Sequence, residues 1–167
     1  MALSSTTSRG DQNYQVETLE ELVEIKASAD KVFKVLSNQH HRIPEAASDN
    51  IHEVVVHEGD WETSGSVKVW KYTIDGKIES FKEKVEIDEA NKLVSLTAVD
   101  GHVLEQYKSY KITIQVTPTS DDTQEAAGLG KITVEYGKFN KNDAPPHKYL
   151  RFVVNTVKDV DAHLLKE

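Results

Sequence analysis

The stretch Ser66-Val-Lys-Val-Trp-Lys-Tyr-Thr-Ile-Asp-Gly-Lys-Ile-Glu-Ser-Phe-Lys-Glu-Lys-Val-Glu-Ile87 alternates in side-chain character with a period of two on both sides of Asp75-Gly76. A period of two marks extended backbone, because successive side chains point to opposite faces of a sheet. Asp-Gly supplies the positive φ values that a two-residue hairpin turn needs. The stretch therefore predicts two antiparallel strands, near 66–74 and 77–87.

The same alternation extends outward, from Tyr14 to Tyr136. It predicts a first strand at Leu19–Lys26 and further strands near 51–57, 92–99, 102–117 and 130–138, with Asp100-Gly101 as a second hairpin turn. Thr117–Glu125 is polar and turn-rich and reads as a solvated loop. Two segments break the pattern. Ala29–Leu36 places Val32, Phe33 and Leu36 on one helical stripe, and His40–Ala47 reads as a second short helix interrupted at Pro44. After Asp143-Ala-Pro-Pro146, an acidic cap followed by prolines, a helix is expected to run to about Leu165. Its apolar stripe is Tyr149, Phe152, Val153, Thr156, Val157, Val160 and Leu164, with Arg151, Asn155, Lys158 and Asp161 mainly opposite. Such a helix is about 30 Å long, enough to cross the mouth of a curved sheet. The order of strand, two short helices, six strands and long helix predicts an α+β fold built on a curved antiparallel sheet.

Composition narrows the function. The chain has 167 residues, suited to one domain; residues 14–167 are expected to form it, and the Ser/Thr/Gly-rich residues 1–13 a disordered arm. Acidic residues outnumber Lys and Arg by 28 to 20, a net charge of −8 that disfavours a grip on nucleic acid or anionic lipid. The chain has no cysteine, so disulfides, thiol nucleophiles and thiolate metal sites are excluded. No apolar run approaches the ~20 residues of a membrane span and the N-terminus carries no signal-like apolar region, so a cytoplasmic location without integral membrane association is expected.

Parity along the strands assigns an interior. Lys68, Trp70, Tyr72 and Ile74 share one face, followed by Phe81, Glu83, Val85 and Ile87, by Tyr110, Ile112, Ile114 and Val116, and by Ile132, Val134 and Tyr136. The strand at 92–99 is ambiguous, since Val94, Leu96 and Ala98 are as apolar as Leu93, Ser95, Thr97 and Val99. Tyr72, Tyr110, Tyr136 and Tyr149 carry hydroxyls that want partners when buried, and Lys68 and Glu83 are costly in a dry core unless paired or solvated. Pairing or strand-end placement is one reading of these polar residues, and a pocket is the other.

The run Glu58-Gly-Asp-Trp-Glu-Thr-Ser-Gly-Ser-Val-Lys-Val-Trp-Lys-Tyr-Thr-Ile-Asp-Gly-Lys77 closely resembles the major latex proteins, a branch of the birch-pollen-allergen superfamily. Phe81-Lys-Glu-Lys84, Tyr107-Lys-Ser-Tyr-Lys111 and Lys148-Tyr-Leu-Arg-Phe-Val-Val154 carry the same resemblance, which covers the chain from about Leu19 to Leu165. It implies the helix-grip fold: a seven-stranded antiparallel sheet curled around the long C-terminal helix, two short helices at one end, and a large cavity between. It also implies that Ser95, Thr97 and Val99 face inward. The cavity would be lined by Leu36, Ile43, Ile51, Lys68, Trp70, Tyr72, Phe81, Glu83, Thr97, Val99, Tyr110, Ile112, Ile132, Val134, Tyr149, Phe152, Val153 and Thr156. The expected partner is a small hydrophobic or amphipathic plant metabolite, such as a steroid, fatty acid, flavonoid or hormone, bound by a monomer for storage, transport or defence. Tyrosine hydroxyls with Thr97 or Lys68 would orient it.

Two departures from the family pattern stand out. The loop Gly59–Gly65 adds Trp61, Asp60 and Glu62 where relatives in the birch-allergen branch are glycine-rich, which disfavours phosphate cradling and with it a ribonuclease reading. Ile132 stands where major latex proteins often carry tryptophan, a change expected to reshape that wall.

Other chemistries are weaker. His40-His41 with His52 or His57 is the one histidine cluster to consider, yet adjacent helical residues diverge and no carboxylate sits at a diagnostic spacing, so neither metal nor cofactor is expected. Superfamily members include enzymes that condense or isomerise alkaloids, and Glu83 with Lys68, or a cavity tyrosine, would be the acid and base of such a reaction. No triad or nucleophile elbow accompanies them. A third reading is a signalling module in which the Trp61 loop closes over ligand to present a surface to a protein partner, against Trp61 as a structural plug.

Overall fold

The structure is a computed structural model and describes residues 4–6 and 15–167. Apart from Ser4–Thr6, the expected disordered arm lies outside the described residues. The elements are β1 (Ser4–Thr6), β2 (Gln15–Ile25), α1 (Ala29–Asn38), a 3-10 turn (His40–Arg42), α2 (Ile43–Ala46), β3 (Ile51–Glu58), β4 (Val67–Ile74), β5 (Lys77–Asp88), β6 (Leu93–Gly101), α3 (Val103–Gln106), β7 (Tyr107–Pro118), β8 (Gly128–Lys138) and α4 (His147–Leu165). The strands form one antiparallel sheet in the order β1-β2-β8-β7-β6-β5-β4-β3. The seven expected strands are all present, and the three-residue β1 adds an eighth at the edge beside β2.

Asp75 and Gly76 both take positive φ, 50° and 76°, and join Ile74 to its cross-strand partner Lys77 as a tight two-residue turn. Asp100-Gly101 behaves differently. Both residues stay in β6, opposite Lys82 and Phe81, and α3 makes the connection to β7. Gly101, at φ 120°, permits an approach to the Ser80 backbone so close that a Cβ would sit 2.5 Å from the Ser80 carbonyl oxygen. The expected strand at 102–117 therefore begins only at Tyr107.

Ser28 caps α1 by accepting from the Lys31 amide, and Val32, Phe33 and Leu36 bury the expected stripe. Asp143 does not cap α4: its Oδ2 accepts from the Asn140 amide within the preceding loop, and Pro146 holds the cap position. Nor is Asp161 on the solvent side. It is 6% exposed and accepts from the amides of Lys26 (3.0 Å) and Ala27 (2.8 Å), which fastens α4 to the corner where β2 turns into α1. Packed this way on β2, β8, α1 and α2, the helix spans the concave face of the sheet.

Candidate functional site

Sheet and long helix do not close on one another completely. A cavity of about 90 Å³ remains, lined from α1 by Leu36, from the short helical turns by His40 and Ile43, from α3 by Val103 and from α4 by Tyr149, Phe152, Val153, Thr156 and Val157. The sheet contributes Ile51, Trp70, Tyr72, Phe81, Glu83, Leu96, Tyr110, Ile112 and Ile114. Phe152, Val153 and Thr156 are only half-buried although they belong to the sheet-facing stripe of α4. This volume is smaller than the large cavity expected and below the roughly 300–1,000 Å³ of pockets that enclose a drug-sized guest. A guest of that size enters only as wall side chains shift.

Of the anticipated lining residues, Leu36, Ile43, Ile51, Trp70, Tyr72, Phe81, Glu83, Tyr110, Ile112, Tyr149, Phe152, Val153 and Thr156 come together around the cavity. Five do not. Thr97 and Val99 fall on the wrong parity: Val94, Leu96 and Ala98 pair with Ile87, Val85 and Glu83 on the inner face. A bulge places Val99 unpaired between Ala98 and Asp100, where it is 49% exposed. Ser95 shares the parity of Thr97 and is likewise absent from the cavity wall. Ile132 and Val134 are wholly buried in β8 between β2 and β7, on the part of the sheet that α4 covers, so the Ile132 departure does not bear on the cavity wall directly.

Lys68 is the fifth. It is 1% exposed and sits cross-strand from Glu83, but its ammonium donates to Trp61 O (3.1 Å) and to His40 Nδ1 (3.2 Å). His40 Nε2 lies 2.5 Å from the Leu36 carbonyl, which can only accept. The proton is therefore on Nε2, leaving Nδ1 as the acceptor for Lys68. Burial, helped by the Lys68 charge, holds the His40 pKa down at about 3, so the ring is neutral. The Lys68 pKa is itself lowered by burial, with Glu83 and Asp60 opposing. Trp61 packs its ring 5.4 Å from the ammonium and edge-on to His41.

Glu83 is also strongly perturbed by burial. It is 1% exposed, and burial pushes its carboxyl up to about 8 despite the opposing influence of the Trp70 indole N–H and of Lys68. Neither Glu83 Oε2 nor Trp70 Nε1 finds a partner of hydrogen-bond geometry among the described residues. At the other end of β4 and β5, Tyr72 sits cross-strand from Glu79, and the hydroxyls of Tyr72 (3.2 Å) and Tyr149 (2.8 Å) both donate to Glu79 Oε1. Gln106 Nε2 donates to the Tyr149 oxygen, 3.0 Å away. Burial raises the pKa of Tyr72, Tyr110 and Tyr149 well above the ordinary phenol value, so all three keep their protons. The interior thus has two polar ends, four residues or about 13 Å apart along β5, with Trp70 and Phe81 paired between them.

The loop between β3 and β4 is occupied by its own carboxylate. Asp60 Oδ1 accepts from the amides of Glu62 (2.9 Å) and Thr63 (2.6 Å), and Oδ2 from the Thr63 hydroxyl (2.9 Å). These bonds hold the Asp60 pKa below the carboxylate range. Amides that would face a phosphate are already spent. Among the described residues no cluster of three or more His, Asp or Glu is arranged to hold a metal, and no helix is long and apolar enough to cross a membrane. His52 instead bonds the Thr73 hydroxyl.

Sequence reading missed His40, Leu96, Val103, Ile114 and Val157 in the wall. Ile114 and Val157 lay on the correct strand face and helix stripe, and Leu96 was readable from its apolar parity with Val94. Nothing in the pattern marked His40, and Val103 was hidden by the misread turn at Asp100-Gly101.

The chain matches the model of the "Pathogenesis-related protein Bet v 1 family" over residues 14–167. It is 38% identical over 144 residues to MLP-like protein 328 of Arabidopsis thaliana, which covers 86% of this chain and 93% of that one. Among solved structures it resembles ginseng major latex-like protein 151 from Panax ginseng at TM-score 0.83 and 29% identity, covering 90% of this chain and 98% of the other. Norcoclaurine synthase from Thalictrum flavum, at TM-score 0.75 and 19% identity over 98% of this chain and 96% of that one, is alike in fold alone.

Proposed function

This chain belongs to the pathogenesis-related Bet v 1 family, in its major latex protein branch, and from that premise we propose that it reversibly encloses a small apolar or amphipathic metabolite beneath α4. The observation that carries this reading is that Phe152, Val153 and Thr156, on the sheet-facing stripe of the long helix, line the cavity and are only half-buried. Protein cores normally pack to crystal density, and an apolar hole left inside costs contacts that a guest restores. Such binding serves storage, transport or defence-linked signalling of a metabolite.

Binding is preferred over catalysis because Glu83 and Lys68 do not meet in the cavity, and burial holds the protons on the cavity tyrosines Tyr72, Tyr110 and Tyr149. Lys68 spends its protons on His40 and Trp61 and stays behind the wall, and only Glu83 borders the space. Trp61, packed against the core and in contact with Lys68 and His41, has a structural role that needs no protein partner.

The neutral dye N-phenyl-1-naphthylamine tests the reading. It is expected to bind with micromolar affinity and a rise in fluorescence, and Phe152→Trp, which fills the cavity from α4, is expected to weaken binding about tenfold or more. Equal affinity in the variant would place the dye elsewhere and overturn the proposal.

A further inference from the structure

Trp70 and Glu83 both line the cavity. The Trp70 indole N–H and Glu83 Oε2 are buried without a partner of hydrogen-bond geometry among the described residues, although the indole lies near enough to Glu83 to oppose the rise of its pKa. They are neighbours, since Trp70 pairs across the strands with Phe81 and Glu83 lies two residues further on the same face. One is a donor that cannot accept and the other is a carboxyl oxygen that accepts when ionised. Leaving both unmade costs far more than making them gains. Nearby groups do not fill the gap: the Lys68 ammonium is turned to His40 and Trp61, and Tyr72 and Tyr149 give their protons to Glu79.

We propose that Trp70 and Glu83 form a recognition point for a neutral hydroxyl on the enclosed ligand, which accepts from the indole N–H and hydrogen-bonds the carboxyl. This rests on the cavity reading above and specifies the class of guest: hydroxylated apolar compounds in preference to carboxylates or bare hydrocarbons. A hydroxyl satisfies the pair whichever protonation state Glu83 holds, because it both donates and accepts. A ketone leaves an ionised Glu83 unanswered. A carboxylate brings its own charge into an apolar wall where the nearest ammonium, that of Lys68, is already turned to His40 and Trp61. A primary amide has the right donor and acceptor but is bulkier than a hydroxyl for a cavity of about 90 Å³.

Calorimetric titration of the intact chain at pH 7 with 2-naphthol, 2-methylnaphthalene and 2-naphthoate tests this, because the three share one ring system and differ at one substituent. The naphthol is expected to bind about tenfold or more tightly than either of the others. Glu83→Leu is expected to abolish that preference, and Trp70→Phe, which keeps an aromatic ring but removes the donor, to reduce it. Equal binding of naphthol and methylnaphthalene by the unmodified protein, or tighter binding of the naphthoate, overturns the proposal even if neither variant folds. Loss of the Phe152→Trp effect on the naphthylamine dye instead overturns the cavity reading, so the two failures are distinguishable.

Discussion

Replacing Glu83 with Gln stabilises the protein above about pH 8 and leaves its stability below the ordinary carboxylate range nearly unchanged. The sign follows from proton binding. Glu83 titrates near 8 in the folded chain against a usual 4.5, so between those values the folded state keeps a proton that the unfolded state gives up. Stability therefore falls as pH rises through that window, and the loss is complete above the folded pKa. At about 1.4 kcal/mol per unit, the cost is on the order of 5 kcal/mol. Glutamine has nearly the same shape and cannot ionise, so the variant lacks this alkaline limb. His40 contributes the opposite slope: with its pKa held near 3 against a usual 6.5, stability is lost as pH falls through that range. Between about pH 4.5 and 6.5 the two slopes offset. Lys68, its pKa lowered from 10.5, adds a rising contribution at higher pH. Urea unfolding from pH 4 to 9 checks this, and identical pH dependence of the two proteins above pH 6.5 would contradict a buried, unpaired Glu83.

Lys68→Met is expected to cost about 3 kcal/mol at neutral pH. Methionine preserves most of the side-chain volume, so the loss is one of charge and hydrogen bonds rather than of packing. The Nδ1 of His40 and the carbonyl of Trp61 lose their donor, and Glu83 loses the nearby cation that partly offsets its burial. Trp61 also loses the ammonium 5.4 Å from its ring, so its fluorescence should shift to the red and become more accessible to a soluble quencher. In a Glu83→Gln background the same substitution costs less, because no carboxyl remains to be left without a cation. A loss under about 1 kcal/mol in chemical denaturation would mean that Lys68 is solvated rather than buried behind the wall.

The sheet was legible because its residues alternate cleanly. Lys68, Trp70 and Tyr72 declared one face of β4, and Asp75-Gly76 fixed the turn that sets the register with β5. Asp100-Gly101 carries the same dipeptide, yet tertiary contact decides its conformation: the backbone lies against Ser80 and a bulge at Val99 lets β6 run on. That bulge is invisible to a count of two, and it leaves Val99 unpaired on the outward parity it shares with Thr97. The family resemblance misassigned Thr97 and Val99 where apolar parity with Val94 and Leu96 was the better guide. Charge was the harder part to read. Lys68 and Glu83 share a face and a register position, which suggests an ion pair, but the ammonium finds two better acceptors in His40 and Trp61. His40 is brought there by a 3-10 turn whose sequence carries no signal of burial. Asp161 followed the polar side of the α4 pattern and is nonetheless buried, because two strand-end amides required an acceptor.

The most direct test of an enclosed guest is methyl NMR of Ile, Leu and Val labelled protein titrated with N-phenyl-1-naphthylamine. Methyl resonances of Leu36, Ile43, Ile112 and Val153 around the cavity are expected to shift together and saturably, while those of Leu22, Val55 and Leu129, exposed on the outside, stay in place. Shifts confined to the outer three would contradict an internal binding site.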